Sequence, residues 1–382
     1  HYNRYEEDIG LLAEAGLNAY RFGIEWARIE PEEGKFDGGE IEHYRKVIAC
    51  CEENGVTPIV TLMHFSSPAW LIRRGGWSKE YVAEAFACYA RKVMEELGDH
   101  LPYVCTINEA NMGFQLNKVI EDMMKAEKKK EGGVQVGQNN GLDIKTILLG
   151  MIEQGKAFRV SPLAINSFLK PRKPEKELCV MKAHEAARKA IREVSPNTKV
   201  GLTLSLFDYQ PTDQGRQQAA RLWQEDFDWY LPYIKDDDFL GVQNYSRKIV
   251  DENGAREPEA GAPVTQMGYE DYPQSIGRVL RRVALSFKGE LIVTENGIAT
   301  DDDNRRCEFI KEAFASVTEA KEKGVPVTGY LHWSLLDNFE WSAGFSIRFG
   351  LYYTDYQTRE RIPKKSAEWY RRVICANGFC NE

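Results

Sequence analysis

Short apolar runs recur along the chain: "NAYRFGI", "TPIVTLM", "YVCTI", "KVGLTL", "FLGVQ", "LIVT" and "VPVTGYLHW". Between them lie longer segments whose apolar residues follow a helical period, among them "EIEHYRKVIACCEENG", "KEYVAEAFACYARKVMEELG", "LCVMKAHEAARKAIREV" and "RCEFIKEAFASVTEAKEKG". Gly55, Gly98 and Gly324 stand where three of these helices should stop, and Ser78 precedes one as a candidate cap. Strands alternating with helices predict a parallel sheet, and this many repeats favour a closed barrel over an open doubly wound sheet. No GxGxxG or phosphate-loop pattern opens a helix, which counts against nucleotide binding.

The rhythm breaks between residues 112 and 176, where "MMKAEKKKEGGVQVGQNNG" and "LKPRKPEKE" are polar and rich in Lys and Gly. The Lys run reads as a solvated helix end. The segment reads as a surface excursion after the fourth strand of a single barrel domain spanning 1–382, on the loop side that borders a barrel's active face.

Composition narrows the function classes. A chain of 382 residues, 43% hydrophobic, has ample material for a core. Its net charge of −8 is spread without a dominant block, so neither nucleic acid nor a membrane surface is indicated as a partner. No apolar run approaches the ~20 residues of a membrane span, and "HYNRYEEDIG" lacks the regions of a signal peptide. The eight cysteines form no CxxC pair and sit mostly in apolar contexts, which predicts buried reduced thiols and a cytoplasmic setting rather than disulfides or zinc. Assembly into a homo-oligomer is not legible in the pattern.

The residues just after the predicted strands carry the chemistry. "TPIVTLM" runs into His64, "YVCTI" into Asn108 and Glu109, "FLGVQ" into Asn244 and Tyr245, "LIVT" into Glu295, and "TGYLH" into Trp333. Taken singly, a histidine here is more often a satisfied loop residue, an asparagine a turn former and a glutamate an arginine's partner. In a parallel barrel, however, all strand ends converge on one face, so these residues would surround one cavity. Two carboxyl groups on separate strands are what glycosidic cleavage needs: one to donate a proton, the other to attack or to stabilise an oxocarbenium-like transition state. Like charges close together push one pKa upward, so both roles can coexist near neutral pH. Trp333 and Trp341 offer flat faces for a sugar ring, and His64 and Asn108 offer hydrogen bonds to its hydroxyls.

"TINEA", "VTENG" and "GYLHWSLLDNFEWSAGFSIRFGLYYTDY" closely resemble the signatures of glycoside hydrolase family 1, the β-glucosidase family of retaining (β/α)8 barrels. The resemblance extends from "HYNRYEEDIGLLAEAGLNAYRFGIEWARI" to the C-terminal helix and is weak only across 112–176. It implies Glu109 as acid/base and Glu295 as a nucleophile forming a covalent glycosyl-enzyme. It implies further that Asn108 holds the sugar 2-hydroxyl, that His64, Glu340 and Trp341 bind glycone hydroxyls, and that Trp333 lies under the glycone. "GVQNYSR" puts Tyr245 on the tyrosine that hydrogen-bonds the nucleophile, and "YRFGIEW" puts Arg21 on the arginine beneath it. The implied substrate is a small β-glycoside, with no metal or organic cofactor.

Departures qualify the match. Phe65 stands where the family usually has Trp, Gln243 where it has Asn, and Ala110 where it has Pro. Glu340, with Ile347 and Phe349 in the Lys and Tyr places of phospho-sugar members, argues against phosphorylated substrates. The family's first strand, with its glycone-binding Gln, has no match in this chain: either further residues precede His1, or the barrel lacks a strand and exposes two edges. The leading expectation is a retaining exo-β-glycosidase acting on β-glucosides or related glycosides. A transglycosidase using the same site, or a silent barrel binding a glycan or protein, are the alternatives.

Overall fold

The computed structural model describes residues 1–120 and 144–379. One sheet carries seven parallel strands in sequence order: β1 (Ala19–Gly23), β2 (Thr57–Met63), β3 (Tyr103–Ile107), β4 (Lys199–Ser205), β5 (Phe239–Gln243), β6 (Glu290–Asn296) and β7 (Val327–His332). The barrel's principal helices are α1 (Tyr5–Glu14), α2 (Gly38–Glu53), α3 (Tyr81–Leu97), α4 (Pro174–Val194), α5 (Ser275–Val283), α6 (Asp303–Glu322) and α7 (Lys365–Ala376). All seven apolar runs became strands. In β2 to β6 most residues are buried on both faces, β5 without exception, because helices cover one side and the barrel interior the other, whereas the edge strands β1 and β7 are mostly half-buried. Near the strand starts, Ile59, Cys105, Phe239 and Ile292 form a small apolar cluster of their own, which leaves the strand ends for polar groups.

β1 and β7 are the two edges of the sheet, and no backbone pairing joins them. Between them lies a slot of about 340 Å³, lined on one side by Tyr20, Arg21 and Phe22 and on the other by Leu331, His332 and Trp333. The barrel is thus nearly closed, with two facing edges where the sequence reading expected a strand to be missing.

Local punctuation was partly as expected. Gly55 and Gly324 take positive φ (69° and 85°), the left-handed geometry that ends α2 and α6. Gly98 instead keeps helical φ and opens a short 3₁₀ turn. A Cβ there would come within 2.4 Å of the Ser195 hydroxyl, so close approach, not a helix stop, requires this glycine. Ser78 is not a cap either: it ends the 3₁₀ turn Gly76–Ser78, and Glu80 precedes α3 without capping it through its side chain. That turn is held by a hydrogen bond from the Trp77 N–H to the Asn166 carbonyl.

The excursion after β3 is helical over 112–120, and Ile144–Phe158 forms another helix. The Lys run lies outside the described residues. The expectation of a purely surface segment fails at its end, where Arg172 and Glu177 are fully buried as an ion pair of 2.6 Å. Tyr230 donates a further hydrogen bond to Glu177, so both carboxylate oxygens are met, while Arg172 Nη2 is left without a partner among the described residues. The cysteine expectation also holds only in part: Cys50, Cys51, Cys105 and Cys179 are buried thiols, whereas Cys88 and Cys375 are exposed. No helix among the described residues is long and apolar enough to cross a membrane.

Candidate active site

The ends of β2 to β7 open into a cavity of about 1030 Å³ whose lining includes His64, Asn108, Glu109, Tyr245, Glu295, Trp333, Glu340 and Trp341. Eight of the nine site residues expected from the sequence therefore share one cavity. The ninth, Arg21, lines the slot behind it and reaches through to Glu295.

Glu295 sits at the end of β6, 4% exposed. Its Oε1 accepts from Arg21 Nη1 and from Gln243 Nε2, each at 2.8 Å, and its Oε2 accepts from the Tyr245 hydroxyl at 2.7 Å. Burial pushes its carboxyl above the usual carboxylate range, and the Arg21 charge with the Tyr245 and Arg21 hydrogen bonds opposes that push. These donors favour the ionised form.

Glu109 follows β3 and is held differently. Its backbone lies in the left-handed region (φ 44°), which costs a non-glycine residue conformational energy and persists only where surroundings enforce it. Here the Glu109 N–H donates to Thr203 Oγ1 at 2.8 Å, anchoring it to β4. No cation is hydrogen-bonded to its carboxyl among the described residues. Burial, then the nearby Glu295 charge, push its pKa up to about 8. At neutral pH Glu109 therefore holds its proton, beside a Glu295 whose hydrogen-bond donors favour the carboxylate.

Asn108 is fully buried, and its Oδ1 accepts from Arg21 Nη2 (2.5 Å), Gln243 Nε2 (2.8 Å) and Thr203 Oγ1 (3.1 Å). Three donors on one oxygen fix the amide, whose Nδ2 then donates to His64 Nε2 at 3.2 Å. His64 is thereby an acceptor at Nε2. Burial and the Arg21 charge hold its pKa down to about 3, so the ring is neutral. Its ring lies 5.9 Å from Trp333 and 6.0 Å from Trp341 between centroids. Phe65 closes the wall, 5.2 Å from Trp341 and 5.9 Å from Phe168. Glu340 is pushed up to about 7 by burial and by the Glu295 charge, with Trp333 opposing. Its Oε2 is buried without a hydrogen-bond partner among the described residues, on a residue that lines the cavity.

The sequence reading missed three members. Thr203 and Phe168 carry no local signal, since one looks like a strand residue and the other belongs to a polar excursion. Gln243 was visible as a departure from the family's Asn, but not as a partner of Glu295.

Known proteins resemble this chain over nearly its whole length. The glycosyl hydrolase family 1 model matches residues 1–124 and 242–379. Beta-glucosidase A of Thermotoga maritima is 31% identical over 99% of this chain and 87% of its own length. A bifunctional beta-D-glucosidase/beta-D-fucosidase of Bifidobacterium breve is 29% identical over 98% of this chain and 87% of its own. Among solved structures, beta-glycosidase BGL167 superposes with a TM-score of 0.87 at 36% identity, covering 100% of this chain and 88% of that one. The Thermotoga maritima beta-glucosidase in complex with deoxynojirimycin superposes at 0.78 with 28% identity, covering 99% and 87%. A nearly closed parallel barrel with two carboxyl groups at its strand ends, and relatives of this kind over its whole length, make the chain a glycoside hydrolase that belongs to glycosyl hydrolase family 1.

Proposed function

We propose that this protein is a retaining exo-β-glycosidase acting on β-glucosides or related non-phosphorylated β-glycosides, with Glu295 as nucleophile and Glu109 as acid/base. The supporting observation is the contrast between the two carboxyl groups: Glu295 receives three hydrogen bonds, one from an arginine, while Glu109 is pushed up to about 8. In the first step Glu295 attacks the anomeric carbon, the glycosidic C–O bond breaks, and Glu109 gives its proton to the departing oxygen. In the second, water attacks that carbon, Glu109 takes the water's proton, and the ester to Glu295 breaks, so the anomeric configuration is retained.

His64, Asn108, Glu340 and Trp341 are assigned to glycone hydroxyls, Trp333 to the glycone face, and Tyr245 and Arg21 to holding Glu295. The aromatic wall of His64, Phe65, Trp333 and Trp341 bounds one side of the cavity, while the rest runs outward past Phe207 and Lys248. That shape supports removal of a terminal sugar with the leaving group in the outer arm. The absence of Lys and Tyr at Ile347 and Phe349 supports unphosphorylated sugars. A single barrel domain is the organisation consistent with this reading.

The test is intact-protein mass spectrometry after incubation with activated 2-deoxy-2-fluoro glycosides of glucose, galactose and fucose, followed by peptide mapping. One glycosyl unit on Glu295 is expected. No adduct in a folded sample would turn the reading to a silent binding barrel. Glu295→Gly should lose turnover, and azide should restore it with an α-glycosyl azide as product; a β product would overturn the nucleophile assignment.

A further inference from the structure

Gln243 does more than fill the barrel floor. The pairing of β5 with β6 runs Val242↔Val293 and then Gln243↔Glu295, so the register shifts and Thr294 is passed over. A bulge of this kind re-aims a side chain. Without it Gln243 would face Thr294, and the alternation of β6 would turn Glu295 to the other face. With it, Gln243 Nε2 donates at 2.8 Å to both Glu295 Oε1 and Asn108 Oδ1.

The orientation of the amide is forced. Arg21 donates to both of those oxygens, which are therefore acceptors, and an acceptor cannot be met by another acceptor, so the amide nitrogen must occupy the shared position. Gln243 Oε1 is left buried without a hydrogen-bond partner among the described residues. An unmet buried acceptor is unfavourable, and an apolar side chain would avoid it. The two donated hydrogen bonds are what a glutamine supplies here in return.

The same contacts divide the Glu295 carboxylate. Oε1 is turned toward Arg21 and Gln243, neither of which lines the catalytic cavity, whereas Oε2 meets Tyr245, which does. We propose that Gln243 is a positioning residue for glycosyl transfer, holding Oε1 with Arg21 as the spectator oxygen so that Oε2 bonds to the anomeric carbon. The inference rests on the retaining reading given above. When Oε2 forms the ester, the carboxylate's negative charge is consumed and Oε1 becomes its carbonyl oxygen, still accepting from both donors. When water displaces the ester, the bonding pair returns to the carboxylate, and the same donors stabilise the departing charge. Gln243 therefore serves both steps.

Two variants test this: Gln243→Met, which keeps length without a donor, and Gln243→Asn, whose arm is one methylene shorter and draws the amide back from both acceptors. Both are compared with wild type in pre-steady-state cleavage of an activated aryl glycoside across pH. Gln243→Met should slow glycosylation and deglycosylation each by roughly 10- to 100-fold. It should move the acidic limb of kcat/KM upward by about one pH unit, because a lost donor raises the nucleophile's pKa. Gln243→Asn should show a smaller shift in the same direction, and it carries the test if the Met variant does not fold. An unmoved acidic limb in the folded variants, or a loss confined to KM, would overturn the proposal. So would a trapped 2-fluoroglycosyl-enzyme whose sugar is bonded to the oxygen facing Arg21 and Gln243. If the wild type does not label at Glu295, the retaining reading itself fails; if it labels but the limb stays put, only the role of Gln243 falls.

Discussion

Glu109 and Glu295 share a cavity, yet the side chains around them differ: Arg21, Gln243 and Tyr245 donate to Glu295, and no cation is hydrogen-bonded to the Glu109 carboxyl among the described residues. Glu109 has a pKa raised to about 8 by burial and by Glu295, so it is protonated at neutral pH and loses that proton as pH rises through this value. The expected basic limb of kcat/KM therefore lies near pH 8. Glu109→Ala should remove that limb and slow substrates with poor leaving groups by roughly 10²- to 10⁴-fold, while activated aryl glycosides lose far less. Equal losses for both leaving groups would remove Glu109 from the acid role. "TINEA" and "VTENG" made both glutamates legible. The environment that separates them, by contrast, comes from Arg21, Thr203, Gln243 and Tyr245 on three other strands or their ends, which no local window of sequence joins.

Among the elements, the strands were the most legible and the segment after β3 the least. A strand such as "TPIVTLM" declares itself because both its faces are buried. By contrast, "LKPRKPEKE" is polar by composition, yet Arg172 and Glu177 are buried within it, because each neutralises the other. Phe168, next to them, packs on Trp77 and on Phe65 of the aromatic wall, so this pair supports the site from behind. Arg172→Ala leaves Glu177 buried without its cation and should cost about 3–5 kcal/mol in urea unfolding. Replacing both residues, as Arg172→Met with Glu177→Leu, should recover much of that loss, since no uncompensated charge remains.

For the whole molecule, the open edge between β1 and β7 puts two uncharged histidines beside cavities, His64 at the catalytic one and His332 at the slot. Burial, then neighbouring cations, hold both pKa values down to about 3, below the ordinary histidine value of 6.5. A folded pKa below the unfolded one means that the unfolded chain binds protons first, so stability is lost as pH falls from 6.5 toward 3. Water in the cavities screens part of this, and a loss of about 1 kcal/mol per histidine between about pH 7 and 5 is expected in denaturant titrations. His332→Phe, which carries no titrating ring, should flatten that dependence; an unchanged slope would show that His332 is hydrated within the slot.

The sequence by itself determined the alternation of strands and helices, the residues at the strand ends and the family, because burial on both faces and terminal motifs are local properties of the chain. Tertiary structure alone decided how the two oxygens of Glu295 are divided between their donors, that burial and Glu295 press the Glu109 carboxyl upward, and that a polar excursion is partly core. Those depend on a one-residue register shift between β5 and β6 and on distances between residues far apart in the chain. The physical reason is that hydrogen bonds and charge interactions act over a few ångströms, and only the closed fold brings these strands that close.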